Sequence, residues 1–395
     1  MVAIIAWAVG IPAFIGLVVL AHREQERPWW RVGLVIVSAG ALLTVTAGTP
    51  LVLAFLALNA ALVLITWRLG GTRFWWVWVV AVVALLVVSK LPLGGSGVDN
   101  PVQASRGLWI GFSYLAFRLI HVAVDRHSGR LGDVTLPEVI IYALHPASIV
   151  SGPIDRARPS AKAQRQSEPL RESLRVGLWR ILRGLFLKFV IANTLFSFIQ
   201  LNDMARDPDR AVGVAWLWLV AYSFYLFTDF AAYTEIAIGF GRLAGLTLPE
   251  TFTRPYLSPS PTVFWQRWHM SLSFWVRDYI FFPIARTLRQ RYPDDRWRAP
   301  IQFVAHMTTM GAVGLWHGLT PNFLVWGLWH GLGLFIHGQI GGRPKPRKQW
   351  ERIDHIKHAA NIAGTYLFVT LGWVFFAADQ PTALRIFARL IGLSV

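Results

Sequence analysis

The stretch Phe74–Pro92, FWWVWVVAVVALLVVSKLP, carries no charge before Lys90 and is long enough to cross the apolar core of a bilayer. Runs of the same kind occur near 2–21, 32–48, 50–66 and 107–124, and again near 184–200, 212–228, 301–318, 320–340 and 359–377. A shorter apolar helix is expected at 381–394. The pattern predicts an all-α polytopic membrane protein.

Composition agrees. Of 395 residues, 54% are hydrophobic and 15% charged, against about 25% charged in a typical soluble domain. Many of the 20 tryptophans sit at the ends of the apolar runs, among them Trp29, Trp30, Trp67, Trp75, Trp76 and Trp109. Amphipathic indoles settle there, at headgroup level. With no cysteine in the chain, disulfides, thiolate metal sites and a cysteine nucleophile are excluded.

The net charge of +17 does not form one basic patch, so nucleic acid is not an expected partner. The arginines fall instead in alternate connections: Arg23, Arg27 and Arg31, then Arg68 and Arg73, then Arg126 and Arg130. The connections near Thr49-Pro50 and Leu93–Ser105 carry little positive charge. The positive-inside rule then places the N-terminus outside and the basic connections, including Gly341–His358, in the cytoplasm. Met1–Ala21 lacks the basic leader of a cleaved signal peptide and reads as a retained span. Between 125 and 185 the pattern changes. Val134–Pro153 is apolar but broken by Pro137, Pro146 and Pro153, and Ser160–Arg183 is strongly basic. A re-entrant or interfacial element is expected there, followed by an amphipathic helix feeding the 184–200 span.

Three segments carry polar chemistry. Phe264–Pro283 reads FWQRWHMSLSFWVRDYIFFP. On a helical wheel Trp265, Trp268, Leu272, Trp275 and Tyr279 share one face, Gln266, Ser273 and Arg277 the opposite one, and His269 lies at the border. Such a helix lies at an interface or lines an internal cavity. His317 closes the apolar run Met307–Leu319, where an ionisable group needs a cavity or a partner. His330 has the same surroundings, because Gly314-Leu315-Trp316-His317-Gly318-Leu319 recurs as Gly327-Leu328-Trp329-His330-Gly331-Leu332, and composition does not choose between them. Pro321 separates the two and places them on different helices or on either side of a break. No carboxylate stands at ligand spacing to His269, His317 and His330, so no metal site is expected. The third segment, Tyr222–Pro249, holds Asp229, Tyr233, Thr234 and Glu235; its Gly239-Phe240-Gly241 suits close helix packing rather than nucleotide binding.

Taken together, Asp-Phe-x-x-Tyr-x-Glu-Ile-Ala-Ile-Gly from Asp229, Arg254-Pro255-Tyr256 and Phe264–Tyr279 resemble the membrane-bound O-acyltransferase family. The likeness is to its bacterial branch, which holds the alginate O-acetylation and teichoic acid D-alanylation proteins. Leu315–Gly318, Val325–Gly331, Gly372–Phe376 and Ser151–Ile154 fit as well, and the resemblance covers roughly 105–380. Ala231 and Ala232 stand where relatives often carry glycine, and the length is nearer the D-alanylation type.

The resemblance implies one membrane-embedded domain over 1–395, with N-terminal helices to 125 and a family core over 126–380. About 10–11 transmembrane helices with re-entrant or interfacial helices would surround a central tunnel. It implies acyl transfer at His317, with His269 on the same tunnel. Trp265, Arg267, Ser273, Arg277, Asp278, Asp229 and His330 would line it or bind substrate. No bound cofactor is implied. The donor would be a cytoplasmic acyl-CoA or acyl carrier protein thioester; the acceptor would be a hydroxyl of an extracytoplasmic glycan or intermediary partner, and the protein would be a multi-pass cell-membrane enzyme among membrane lipids. The rival is a transporter without chemistry, which would need paired interrupted helices in matching halves.

Overall fold

A computed structural model describes residues 13–16, 18–19, 28–47, 51–91, 111–149, 151–166, 169–201, 204, 207, 211–340 and 351–393, and within them every regular element is helical. The span expected at Met1–Ala21, the Leu93–Ser105 connection and the basic residues 341–350 fall mostly or wholly outside the described residues. The chain divides into two compact units, 1–184 with 233–249, and 185–232 with 250–395.

In the first unit the expected runs become α1 (Pro28–Ala47), α2 (Leu51–Gly70), α3 (Trp75–Val88) and α4 (Phe112–His127). The proline-broken segment forms only α5 (Leu136–Leu144), opened by a capping box between Thr135 and Glu138 and closed at His145, just before Pro146. The described residues of 145–149 and 151–156 are then irregular, and side chains satisfy their backbone. Arg118, buried in α4, donates to Ala143 O at 2.9 Å and Ser148 O at 2.7 Å. Tyr233 accepts from Ser151 N–H at 3.1 Å, and Tyr142 donates to Asp155 O at 2.9 Å. His121 Nε2 accepts from Ala157 N–H at 3.0 Å, which leaves Nδ1 beside the Tyr142 hydroxyl at 3.3 Å. Buried irregular backbone survives on such partners.

The basic stretch that follows forms α6 (Ala157–Arg165) and α7 (Leu170–Phe186). On α7, Leu178, Trp179 and Leu182 are exposed apolar residues, as the amphipathic reading expected. Gly177 lies against Gly239: a Cβ on Gly239 would stand 2.7 Å from Gly177 O. The small residues of the Gly-Phe-Gly motif therefore serve helix packing.

The chain runs from α7 through a π-helical turn, Leu187–Ala192, into α8 (Asn193–Leu201). After it comes α9 (Val212–Leu243), which extends beyond the expected 212–228. The extension carries Asp229 and Glu235. Lys188 pairs with Asp229, while Arg180 and Arg183 lie 3.4 and 3.5 Å from Glu235, so the helix continues past charges that would otherwise end an apolar run. Leu170–Gln200, Val212–Leu243 and Arg352–Ala377 are long and apolar enough to cross a membrane.

The second unit also holds α10 (Pro261–Trp265), α11 (Met270–Val276), a π-helical turn at Arg277–Phe281 and α12 (Phe282–Arg291). Beyond these come α13 (Arg298–His317), α14 (Pro321–Ile340), α15 (Arg352–Ala377) and α16 (Gln380–Leu390). The repeated hexapeptide now has a physical meaning. Its leading glycines form the crossing of α13 and α14: a Cβ on Gly314 would stand 2.2 Å from Phe323 O, and one on Gly327 2.2 Å from Met310 O. Only glycine permits that approach.

Two outcomes follow. Gly327→Ala should destabilise the detergent-solubilised protein by about 1–3 kcal/mol in thermal unfolding, through overpacking against a carbonyl; unchanged stability would remove the crossing as described. Asp155 is buried with Oδ2 unpartnered, and burial pushes its carboxyl up to about 7 against the opposing influence of Arg156 and Arg118. A raised acid pKa favours the folded state at low pH. The apparent Tm should therefore fall as pH rises from the ordinary carboxylate range towards 7, and Asp155→Asn should flatten that slope.

Candidate active site

The site is built on the junction of α10 and α11. A single helix over Trp265–Tyr279 is not what forms. After Trp265 the chain makes a turn, and His269 takes left-handed backbone angles (φ 40°, ψ 51°) before α11 begins. Two backbone hydrogen bonds hold the break: Thr253 N–H donates to Arg267 O at 3.0 Å, and Met270 N–H to Thr251 O at 2.8 Å. Among the described residues Arg254 is the only other non-glycine with positive φ, at 47°, and it belongs to the same pair of strapped loops. Left-handed backbone is uncommon at non-glycine residues and collects at functional positions.

The break brings residues from both of the wheel's faces, Trp265 and Leu272 as well as Gln266, Ser273 and Arg277, onto one cavity. Trp265, Trp268, Leu272 and Trp275 are buried. Gln266, Ser273 and Arg277 line that apolar cavity of about 220 Å³ together with Trp265 and Leu272, with His306, Thr309 and Met310 on its other wall. Ser273 Oγ is tied to Trp268 O at 2.9 Å, and Arg277 to Asp278 at 2.8 Å. The π-helical turn at Arg277–Phe281 borders this cavity; such turns often sit at functional sites.

His269 is 4% exposed, its ring edge-on to Phe230 at 4.7 Å between centroids. Its Nδ1 is 3.4 Å from Ser271 Oγ, and its Nε2 is buried with no hydrogen-bond partner. His317 ends α13 and is half-buried among Trp326, Phe376 and Phe323, at centroid distances of 5.2, 5.0 and 6.0 Å. The two imidazoles lie within electrostatic range of each other.

His330 differs from both. It is 0% exposed in an aromatic box with Trp265 at 5.2 Å, Trp326 at 5.0 Å and Phe368 at 5.6 Å, and neither ring nitrogen has a hydrogen-bond partner. Gly372 closes the box, since a Cβ there would stand 3.1 Å from His330 Nε2. The repeated hexapeptide thus sets one histidine at a helix end and the other inside the packing.

Not every residue singled out from sequence gathers here. Asp229 is engaged by Lys188 and lines neither the apolar cavity nor the second, basic one. Arg267 lines that second cavity, with Arg254 and His358, and donates to Leu257 O at 3.0 Å. His317 lines neither. Sequence reasoning met Arg254 and Trp373 only as members of matching stretches, without a place in the site, and passed over Thr309. The only local signal was the Thr-Arg-Pro-Tyr stretch, where a pre-proline residue is already restricted.

The arrangement sets His269 and His317, each packed among aromatic rings, in an all-α membrane protein. Its family follows from comparison with known proteins: residues 55–356 match the membrane-bound O-acyltransferase family, and the chain belongs to it. It is 30% identical to the teichoic acid D-alanyltransferase of Bacillus subtilis over 68% of either chain. It is 29% identical to the "Probable alginate O-acetylase AlgI" of Pseudomonas fluorescens, over 97% of this chain and 72% of that one. With the peptidoglycan O-acetyltransferase of Helicobacter pylori it shares 28% identity over 66% of this chain and 48% of the relative. The protein is an O-acyltransferase, and the transporter alternative is set aside.

Because the chain has no native cysteine, single replacements report exposure cleanly. Gln266→Cys and Ser273→Cys should react with a small water-soluble maleimide, whereas Ser271→Cys, buried and off the cavity, should stay protected in the folded protein. Equal protection of all three would refute the cavity-lining face.

Proposed function

We propose that the protein transfers an acyl group, of acetyl or D-alanyl type, from a cytoplasmic thioester to a hydroxyl on a cell-envelope acceptor outside, with His317 as general base. The observation that carries this reading is the placement of His317, at a helix end, ringed by aromatics and within electrostatic range of His269. An alcohol is too weakly acidic to attack a thioester unaided. The imidazole takes the hydroxyl proton as oxygen bonds to the thioester carbonyl; collapse of the tetrahedral intermediate breaks the carbon–sulfur bond, and the proton leaves with the thiolate.

The aromatic surroundings keep water from competing for the acyl group. His269 supports the same centre through its unpartnered Nε2, a candidate donor to the thioester carbonyl oxygen as negative charge develops there. His330, with no exposure, serves the packing of the box around Trp326.

The donor's identity as acyl-CoA or acyl carrier protein, and the acceptor as glycan or intermediary, belong to this proposal. The relatives are named for three different envelope polymers. The topology is part of it too: the N-terminus lies outside, and Arg156–Arg183 and the connection after Arg343 face the cytoplasm, the latter mostly outside the described residues.

The test is asymmetric. His317→Ala should leave a folded protein whose acyl transfer is at least about 10²-fold slower. His330→Ala should keep measurable activity. Full activity in the His317 variant would end the assignment. Cysteines placed after Arg343 or within 156–183 should resist impermeant reagents in intact cells, and labelling from outside would overturn the topology.

A further inference from the structure

Trp316, Phe323, Trp326 and Phe376 ring the His317 imidazole. Of these four, Trp326 is buried at 1% exposure, and the other three are half-buried. Its indole stands at 90° to the imidazole, with 5.2 Å between centroids. An edge-to-face pair of this kind is directional, so it sets orientation as well as distance. The indole is itself held by rings from α10, α14 and α15. It meets Trp265 at 6.0 Å, His330 at 5.0 Å and Phe376 at 5.5 Å, and it stacks on Trp373 at 5.8 Å and 22°.

The backbones behind this contact are held as closely. Gly327, next to Trp326 on α14, and Gly314, on the last turn of α13 before His317, form the helix crossing described above. A turn or slide of either helix there drives backbone into a carbonyl. The helix α14 is also fastened to α15: Asn322 Nδ2 donates to Phe375 O at 3.1 Å, and Trp329 Nε1 to Phe368 O at 3.0 Å. Trp326 lies between these two fastenings, and His330 follows it one helical turn later on the same face. The repeated hexapeptide therefore yields three rings in series, His330, Trp326 and His317, running from the closed box to the helix end.

We propose that Trp326 is the positioning residue of the acyl-transfer centre: its indole sets the plane of the His317 imidazole, and His330 is the prop that holds the indole. The proposal rests on His317 as general base. A base has to keep one ring nitrogen aimed at the hydroxyl while the new carbon–oxygen bond forms, and a misplacement of about 1 Å can cost on the order of 10²-fold in rate. A helical side chain leans back over the preceding turn, and three residues before His317 that turn offers only Gly314, with no side chain to hold a ring. After His317 the chain leaves the helix at Gly318. The hold on the imidazole comes from α14 instead.

Kinetics separate this role from plain packing. Acyl transfer is followed in permeabilised native cells whose own copy is replaced by each variant, at matched protein amounts. Radiolabelled acetyl-CoA and carrier protein loaded with D-alanine are offered as donors, and the donor that the wild type uses is kept for the variants. Trp326→Leu should lower kcat by about 10²-fold and leave KM for the donor within about twofold, since the change falls on the base and not on donor binding. Trp326→Phe, which restores a ring, should recover at least about tenfold of that loss. His330→Ala should fall between the wild type and Trp326→Leu, and should add nothing to Trp326→Leu. Beside His317→Ala, Trp326→Leu should have no further effect, because a positioning residue is silent once the group it positions is gone. Thermal unfolding in detergent checks each fold. Where Trp326→Leu does not fold, Trp326→Phe carries the test, with kcat below the wild type and the same silence beside His317→Ala.

A kcat within about threefold of the wild type in Trp326→Leu overturns the proposal. A loss carried by KM overturns it as well, and so does an equal loss with and without His317, the mark of a structural tryptophan. A fully active His317→Ala ends the base reading and this one together, whereas an impaired His317→Ala beside an unimpaired Trp326→Leu ends this one alone.

Discussion

Two backbone hydrogen bonds, Thr253 N–H to Arg267 O and Met270 N–H to Thr251 O, hold the junction that places Arg254, Arg267 and His269 in the second unit. In a setting with little water, a break in a helix leaves peptide groups that must find partners within the protein. These two bonds meet that requirement. They allow the chain to stop between Trp265 and Met270, with His269 in left-handed geometry as the residue that turns it. A continuous helix would spread Arg267, His269 and Ser273 around one cylinder. The break aims Arg267 and Arg254 into one recess, buries the His269 ring against Phe230, and leaves Gln266, Ser273 and Arg277 on another cavity.

Around that junction the packing is aromatic rather than ionic. Phe264, Trp265, Trp268, Trp326 and Trp373 stack or meet edge-on at centroid distances between 5.0 and 6.4 Å around His330 and its neighbours. Such contacts bury large area with few rotatable bonds, which holds imidazoles in place where few hydrogen bonds are available to do so. The glycine crossing of α13 and α14 brings the two backbones close enough for this basket to close. The ion pairs have a different task. Lys188 with Asp229, and Arg180 and Arg183 with Glu235, keep α9 helical past acids it could not otherwise bury.

The enzyme class and its membrane setting rest on the family match and the apolar helices. What distinguishes this site physically is a division of labour between chemically similar residues. His317 and His330 share a hexapeptide, yet one ends a helix and the other fills a closed box. Arg267 and Arg277 share a motif, yet they line separate cavities. Identical side chains acquire different uses from where the backbone stops.

Apolar run length is a local property and was legible along the chain: the helices fall close to the expected runs, and the wheel of Phe264–Pro283 picked out Trp265, Trp268, Leu272 and Trp275 as buried, although Trp265 and Leu272 share the cavity of Gln266, Ser273 and Arg277. Motif identity was legible too, because the residues that match the family lie in short stretches. The break at His269, the strain at Arg254, the engagement of Asp229 by Lys188 and the burial of His330 were not. Each depends on partners distant in sequence: Thr251 and Thr253 for the break, Lys188 for Asp229, Gly372 and Phe368 for His330. Hydrophobic periodicity reports which face a residue occupies but not where a helix must stop to satisfy a strap from another loop. The sequence by itself therefore determined the membrane-embedded helices and the acyltransferase class, whereas only tertiary structure decided which histidine and which arginines stand where, because those positions are set by long-range backbone pairing and close packing.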